Sequence, residues 1–161
     1  MERIMSEGRI KAEDIIIRNY RTSDYQATLE ILIELNKLYD IGFNENQWRE
    51  SSGLRQFKPN LKRITLIAEL KSGEVVSMGV IEAQKGALGQ YIGYLENWAT
   101  KQEFIGKGVG KLLADRAIQI LQSWGCDSIR IHLPYRTDKK LLDVFSKAGF
   151  HPIITVLEKR F

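Results

Sequence analysis

Residues 106–110 read Gly-Lys-Gly-Val-Gly, and this run joins two segments with different hydrophobic periods. The segment before it, Tyr91 to Ala99, is rich in aromatic and aliphatic residues and predicts a strand. After it, apolar residues recur at steps of one, three and four, which predicts an amphipathic helix that ends at Trp124, before Gly125. A strand that passes through a glycine loop into a long helix restricts the chain to folds in which helices pack on a sheet.

The remaining segments also separate into strand-like and helix-like patterns. Besides the strand over 91–99, strands are predicted over 14–20, 61–70, 75–84, 127–133 and 150–159. Helices are predicted from Thr22 or Ser23 to Leu38, from Asn44 onward, from 109 to 124, and from Thr137 or Asp138 to Ala148. This order predicts one α/β (α+β) domain over residues 14–161, preceded by a flexible N-terminal extension over 1–13.

Composition argues against several kinds of site. Cys126 is the single cysteine, so no intramolecular disulfide forms, and His132 and His151 lack the spacing of metal ligands. No apolar run approaches the ~18 residues of a membrane helix, and the polar start of the chain does not resemble a signal peptide, so we expect a cytoplasmic location. The formal net charge of +4 suits an anionic small ligand, and no dense Lys/Arg cluster favours nucleic acid.

The glycine run has the chemistry of an anion site. The first N–H groups of a helix lack intrahelical partners and carry about half a positive charge, and glycines let the main chain approach phosphate oxygens. A nucleoside triphosphate P-loop is excluded, because Leu112 follows Lys111 and Ile105 stands where the first glycine belongs. A dinucleotide loop of the form G-x-G-x-x-G is excluded too, because its last position falls on Lys111 or Leu113.

The run instead resembles the pyrophosphate loop Q/R-x-x-G-x-G/A of the GNAT superfamily of acetyl-CoA-dependent acyltransferases, with Ile105 departing at the Q/R position. The segments 15–18 with 22–24 and 66–80 are similar to the family's opening and its second and third strands, and 145–150 to its Y-E-K-L-G-F signature. The resemblance covers roughly residues 14–159. It implies a mostly antiparallel twisted sheet of six to seven strands, flanked by about four helices, with a splay between the fourth and fifth strands.

The resemblance also implies a pose for acetyl-CoA, with no metal. Its pantetheine arm would lie along 91–100 and bond to main-chain groups of Trp98, Ala99 and Thr100. Its pyrophosphate would be held by N–H groups from Ile105, Gly106, Lys107, Gly108, Val109, Gly110 and Lys111. Phe145 would also border the cofactor.

Aminolysis of a thioester needs a neutral amine and a protonated leaving thiol, so a general base and a general acid would each help. Glu96 is the predicted base, because strand alternation places it with Tyr94 and Trp98 among aromatic rings. The resemblance supports this role, since the family's strand carries a glutamate that deprotonates the amine through water. Phe145 replaces a tyrosine that protonates the sulfur in many members. The general acid is then either Tyr135 or His132, or the reaction uses no general acid.

Two functions remain open at this stage. The first is transfer of an acetyl group to a primary amine of a small molecule or peptide, by direct attack in a ternary complex. The second is an acyl-CoA-binding regulatory or subunit module without turnover. Trp48, Phe57 and the segment 42–60 are predicted to border the acceptor. The resemblance implies that the last strands can carry a homodimer interface. Neither nucleic acid nor a membrane is expected as a partner.

Overall fold

One sheet organises the computed structural model, which describes residues 8–50 and 62–161. Its strands are β1 (Ile15–Asn19), β2 (Arg63–Leu70), β3 (Val75–Lys85), β4 (Tyr91–Thr100) and β5 (Ser128–Ile131), paired in that order. The first three pairings are antiparallel and β4–β5 is parallel, which confirms the predicted mixed, mostly antiparallel sheet. The helices in the described residues are α1 (Tyr25–Tyr39), α2 (Glu45–Glu50), α3 (Val109–Ser123) and α4 (Lys139–Lys147), as many as predicted.

Helices cover the central strands on both faces. α3 packs on one face against a cluster that includes Ile81 and Leu95, and α1 packs on the other face around Met78. As a result the first seven residues of β3 are all buried, and their side chains do not alternate between apolar and polar. The core therefore lies in two layers, one on each side of β3 and β4.

α3 is fixed to the sheet by one row of buried side chains. Val109, Leu113, Ala117 and Leu121 are at most 1% exposed, and their spacing of four confirms the predicted stripe. A Cβ on Gly93 of β4 would lie 2.9 Å from the methyl carbons of Leu121, so the missing side chain lets the helix approach the strand. This close packing fixes the start of α3 relative to the end of β4.

A buried ionic cluster joins β1, β2 and the start of α1. The Arg18 guanidinium donates to both carboxylate oxygens of Asp24, at 2.7 and 2.8 Å, and to Glu69 at 2.7 Å. The Arg21 N–H also donates to Asp24. Burial by itself would raise the pKa of Asp24, but the Arg18 and Arg21 hydrogen bonds outweigh it and the pKa is lowered. Asp24 therefore stays ionised and holds the first strand to the first helix.

Two expectations about the elements need correction. The number of strands among the described residues is five rather than six to seven, because residues 150–161 form no strand. A strand needs a neighbour for its main-chain groups, and this segment pairs with none. Thr22 and Ser23 lie in a 3₁₀ turn that precedes α1, which begins only at Tyr25. The predicted second-strand residue Leu61 lies outside the described residues, as do residues 1–7 of the predicted extension.

Replacing Asp24 tests this ionic cluster. We expect Asp24→Asn to lower the free energy of unfolding at pH 7 by about 2 kcal/mol, because it leaves Glu69 as the one remaining carboxylate that pairs with the largely buried Arg18 guanidinium. Because the folded-state pKa is lowered, the Asp24 contribution is complete above an ordinary carboxyl pKa of about 4 and is lost as pH falls through the lower folded value. Urea unfolding at pH 7 and at about pH 3 should show the difference from the native chain shrinking in acid.

Asp115→Asn is the matched control, since Asp115 pairs with Lys111 on the exposed face of α3. It should change the free energy of unfolding by less than about 0.5 kcal/mol. An equal loss in both variants, or a loss for Asp24→Asn that does not depend on pH, would contradict the proposed role of the cluster.

Candidate active site

β4 and β5 separate part-way along their length. Their pairing runs from Ile92 with Ser128 to Leu95 with Ile131, and β5 ends there. β4 continues to Thr100, so its last five residues have no partner on that side among the described residues. This is the predicted splay between the fourth and fifth strands. It leaves the main chain of β4 from Glu96 onward accessible to a ligand that can form strand-like hydrogen bonds.

A bulge in β4 lies at the start of the splay. Opposite β3, the register passes from Val80–Glu96 to Met78–Ala99, so β4 has one extra residue there. Asn97 takes the left-handed conformation, with φ of 49°, which asparagine tolerates better than most residues. The bulge therefore turns the strand next to Glu96.

The bulge corrects the prediction that Trp98 shares a face with Glu96. Trp98 packs with the cluster under α3, whereas Ala99 packs with the cluster under α1. A Cβ on Gly79 would lie 2.1 Å from the Trp98 ring, so only glycine leaves room for the indole at that position. Tyr94 and Glu96 pair with Glu82 and Val80, and these alternate residues place them on the α1 face.

The glycine loop after β4 exposes unpaired amides. Gly106 and Gly108 have φ of 79° and 88°, and a Cβ on either would meet no atom within 4 Å. Within residues 8–50 and 62–161, the N–H groups of Gly106, Gly108, Val109, Gly110 and Lys111 donate no hydrogen bond. These donors converge at the positive end of the α3 dipole, in open space, which is the arrangement that binds a phosphate group.

Two residues predicted to donate main-chain N–H groups are already engaged. The Ile105 N–H donates to the Gln102 carbonyl and the Lys107 N–H to that of Phe104, both at 3.3 Å. Their hydrogen bonds form the tight turns that orient the free amides. The Lys107 carbonyl accepts from the N–H of Ile10 at 3.1 Å, so the segment before β1 also contacts the loop.

The two lysines near the loop differ in whether a carboxylate already pairs with their charge. The Lys111 ammonium lies 2.7 Å from the Asp115 carboxylate one turn along α3, which offsets part of its charge. The Lys107 ammonium lies 5.5 Å from the centre of the Phe104 ring and forms no ion pair with a described residue. The main-chain amides and Lys107 are therefore the stronger features for an anion.

The end of β4 is held in place by a serine of β3. The Ser77 hydroxyl lies 2.9 Å from the Ala99 carbonyl and 2.8 Å from the Thr100 hydroxyl. Ser77 is fully buried, so these bonds do not exchange with water. They fix the main chain of Ala99 and Thr100 and leave the opposite edge of β4 to the splay.

Glu96 is half-buried on the α1 face, beside the bulge. Among the described residues, its carboxylate forms neither a hydrogen bond nor an ion pair, so it is not tied to a surface lysine or arginine there. A carboxylate in this state is available to accept a proton from a bound water or amine.

The two candidate acids differ in position. The His132 ring lies just beyond the end of β5 and contacts the Tyr94 ring, with centroids 5.8 Å apart, across the start of the splay. Tyr135 follows Pro134 in a turn, and its side chain is fully exposed. The structure therefore brings His132 together with Tyr94, whereas Tyr135 contacts neither in this conformation.

A cavity of about 340 Å³ opens on the α1 side of the bulge. Its walls include a tilted aromatic pair, Phe43 and Trp48, with centroids 6.2 Å apart. Three side-chain amides line the same space, those of Asn44, Gln47 and Asn97. Leu32, Ile41 and Gly42 complete the lining. Trp48 lines this cavity, and its contact with an acceptor stays a prediction, while Phe57 lies outside the described residues.

A family model described as the acetyltransferase (GNAT) family matches residues 29–150, which include the splay, the glycine loop and α3. The chain belongs to the GNAT family. No curated protein sequence matches it. The match confirms the resemblance read from the glycine run, despite the isoleucine at position 105.

Solved structures share the GNAT fold with this chain at low identity. Glucosamine-6-phosphate N-acetyltransferase from Arabidopsis thaliana has a TM-score of 0.70 and 19% identity, covering 91% of this chain and 98% of its own. A transcriptional regulator from Bacillus halodurans C-125 has a TM-score of 0.72 and 20% identity, with coverages of 91% and 99%. An aminoglycoside acetyltransferase from an uncultured soil metagenomic sample, in complex with trehalose, has a TM-score of 0.66, 11% identity, and coverages of 93% and 97%.

Phe145 departs from the pattern that the family resemblance implies, as Ile105 does. Phe145 lies in α4 and packs edge-on against Phe150, with centroids 5.7 Å apart, so an apolar ring occupies the position of the family's tyrosine. Burial and the neighbouring Asp127 raise the pKa of the Cys126 thiol, which argues against a nucleophilic role. Among the described residues there is no group of three potential metal ligands, and no helix long and apolar enough to cross a membrane.

Sequence reasoning missed the bulge and the residues that support it. Asn97 is one of three non-glycine residues with positive φ among those described. In β3, the strand that pairs with this part of β4, Gly79 faces the indole of Trp98. An asparagine in the middle of a strand, facing a glycine in the preceding strand, is the signal that could have indicated the irregularity.

The glycine loop yields a direct binding test. We expect Gly108→Glu to abolish binding of coenzyme A measured by calorimetry, because it places a carboxylate among the free amides and strains a residue with φ of 88°. Gly73→Glu is the matched control, since Gly73 has φ of 92° in the exposed hairpin between β2 and β3. It carries the same strain and should retain affinity. Normal affinity in Gly108→Glu would contradict the assignment of the loop.

Proposed function

We propose that this GNAT-family chain transfers the acetyl group of acetyl-CoA to a primary amine by direct attack in a ternary complex. The observation that carries the proposal is the set of amides at the start of α3 that no described residue pairs, directly beyond the edge of β4 that β5 leaves open. The amine nitrogen forms a bond to the acetyl carbonyl carbon, and the carbon–sulfur bond breaks. The amine loses a proton and the thiolate gains one.

The two parts of coenzyme A match two parts of this site. The amides of Gly106, Gly108 and Val109 to Lys111 suit the pyrophosphate, which carries the charge that the helix dipole attracts. The main chain of β4 from Trp98 to Thr100 is extended, and no described strand pairs with it on the side of β5, so it suits the amides of the pantetheine arm. The thioester would then lie at the splay, near the bulge at Asn97.

Glu96 is proposed as the general base. A lysine-like amine has a pKa of about 10.4, so at pH 7 only about one molecule in 2500 is neutral, and proton removal is a substantial part of the barrier. Glu96 lies on the face that carries the cavity, and among the described residues no cation pairs with it. A water bound to its carboxylate could relay the proton.

Tyr135 remains the proposed general acid, although its side chain points into solvent in this conformation. It lies in the turn that follows Pro134, so a change in that turn would be required to bring its hydroxyl to the sulfur. His132, already at the splay beside Tyr94, is the alternative donor. Phe145 has no acidic proton and cannot act as the general acid.

The acceptor is proposed to be the amine of a small molecule or a peptide. The cavity of about 340 Å³ is large enough for part of such a molecule, and its aromatic pair and side-chain amides can contact both apolar and polar groups. Two of the similar structures are named for amino-sugar acceptors, glucosamine-6-phosphate and aminoglycosides. These names support an amine acceptor, but they do not indicate which of the two kinds of acceptor this chain would use.

Incubation with acetyl-CoA and a panel of amines, read by free thiol release and by a mass increase on the acceptor, tests the function. We expect both signals for at least one class of amine, because the site can hold the donor and the acceptor together. Thermal protection by acetyl-CoA without thiol release for any amine would instead support a binding module. If acetyl-CoA gives no thermal protection and no thiol is released, acetyl-CoA binding itself is contradicted.

Glu96→Gln tests the base. We expect kcat to fall on the order of 10²-fold while the affinity for coenzyme A stays unchanged, because the residue removes a proton and does not touch the pyrophosphate. The loss should be largest near neutral pH and smaller at alkaline pH, where more amine is already neutral. Glu103→Gln, at an exposed site before the loop, is the control and should leave kcat unchanged. An unaltered rate in Glu96→Gln would remove it as base.

A further inference from the structure

The described walls of the cavity beside α1 carry no charge. They consist of aliphatic, aromatic and side-chain amide residues together with Gly42, and none of them is Asp, Glu, Lys, Arg or His. A phosphate or carboxylate that leaves water needs a cation or several N–H donors to replace its hydration. No described residue that lines this cavity supplies a cation, so the cavity suits the uncharged part of an acceptor.

Arg160 lies next to the cavity, but carboxylates already pair with its guanidinium. A terminal nitrogen of this group would lie 3.7 Å from a Cβ added to Gly42, which lines the cavity. The same group donates to the carboxylate and to the carbonyl of Asp40, at 3.2 Å each, and to the carboxylate of Glu158. Two carboxylates therefore offset its charge, and it is not a free counter-ion for an anionic acceptor.

Glu96 adds a negative charge beside the cavity. It precedes Asn97, which lines the cavity, and no described cation pairs with its carboxylate. This charge attracts the ammonium form of an acceptor and repels a phosphate or a carboxylate on the same molecule. The charges around the cavity therefore favour an acceptor whose amine is its one charged group.

The three side-chain amides of the cavity match hydroxyl groups. The side-chain carbonyl of Asn44 accepts from the Gln47 N–H at 3.1 Å, which leaves the NH₂ group of Asn44 to donate. Among the described residues, the side chains of Gln47 and Asn97 form no hydrogen bond. An amide offers both donors and an acceptor, and a hydroxyl group also donates and accepts. Several hydroxyls on one molecule could therefore pair with all three amides.

Hydrogen bonds of the main chain fix the aromatic pair of the cavity. The Phe43 N–H donates to the side-chain carbonyl of Asn36 at 3.2 Å, and the Trp48 N–H donates to the Asn44 carbonyl at 2.9 Å. Both aromatic residues are half-buried, so part of their apolar surface stays accessible to the C–H face of a saturated ring. A volume of about 340 Å³ lies at the small end of the range of ligand pockets, which fits one ring better than an extended chain.

We propose that the acceptor is a small hydroxylated ring that carries the reacting amine and no phosphate or carboxylate, as in an unphosphorylated amino sugar. This choice of substrate rests on the proposed acetyl transfer, although binding to the cavity can be measured without it. The C–H face of the ring packs on the aromatic pair, and the hydroxyls bond to the three side-chain amides. The amine then lies on the side of Glu96.

Calorimetry on the native chain, with and without coenzyme A, tests the proposal without any acetyl group to transfer. Glucosamine and glucosamine-6-phosphate differ by the phosphate, and glucosamine and cyclohexylamine differ by the hydroxyls. We expect glucosamine to bind at least about tenfold more tightly than the other two, because the phosphate meets a like charge and cyclohexylamine leaves the amides unpaired. Equal or tighter binding of either comparison amine, or no binding of glucosamine, overturns the proposal.

Free thiol release from acetyl-CoA with the same three amines separates this proposal from the proposed function. Glucosamine should give the highest kcat/KM of the three. Turnover that is fastest with glucosamine-6-phosphate would overturn the uncharged acceptor and leave acetyl transfer intact. Binding in the expected order without thiol release would contradict acetyl transfer and leave the assignment of the cavity intact.

Gln47→Arg tests the role of charge, because it adds a cation at an exposed position of α2 that lines the cavity. We expect the preference for glucosamine over glucosamine-6-phosphate to fall by about tenfold or more, since the guanidinium can pair with the phosphate. Gln122→Arg adds the same charge at an exposed position of α3, on the other face of the sheet, and should keep the native preference. A preference that is unchanged in Gln47→Arg, or reduced equally in both variants, overturns the proposal.

Discussion

The short parallel pairing of β4 with β5 is the constraint on which the site depends. β5 follows β4 for four residues and then ends, so no strand in the described part of the chain pairs with that edge of the second half of β4. If β5 continued, it would pair with that edge and close the groove. The proposed positions of the pantetheine arm and the thioester follow from this early end, and the glycine loop lies in line with it.

Much of the fold was predictable from the spacing of apolar residues and from the glycines at the ends of the elements. Regular apolar spacing indicated α3, and Gly125, with φ of 84°, ends it as expected. The glycine run indicated the anion site because main-chain amides carry that chemistry, whatever side chains flank them. This is why Ile105 at an otherwise polar position did not prevent a correct family assignment.

The errors come from features that regular strand alternation and local composition do not capture. Strand alternation assigned Trp98 to the face of Glu96, but one extra residue at Asn97 reverses the side on which the indole packs. Residues 150–159 have strand-like composition, yet a strand exists only where another strand pairs with it. Whether that partner belongs to the same chain or to a second copy depends on tertiary and quaternary contacts. The exposure of Tyr135, whose role as an acid stays a prediction, follows from the geometry of one turn.

The hydrogen bond from the Ile10 N–H to the Lys107 carbonyl gives the stretch before β1 a place next to the anion loop. Fixing that carbonyl limits the rotation of the peptide unit shared by Lys107 and Gly108, whose N–H is one of the free donors. If the loop binds an anion as proposed, order in residues 8–14 would contribute to the affinity of the loop for that ligand. If that stretch were disordered, the loop would have to become ordered when the ligand binds, and this cost would lower the affinity.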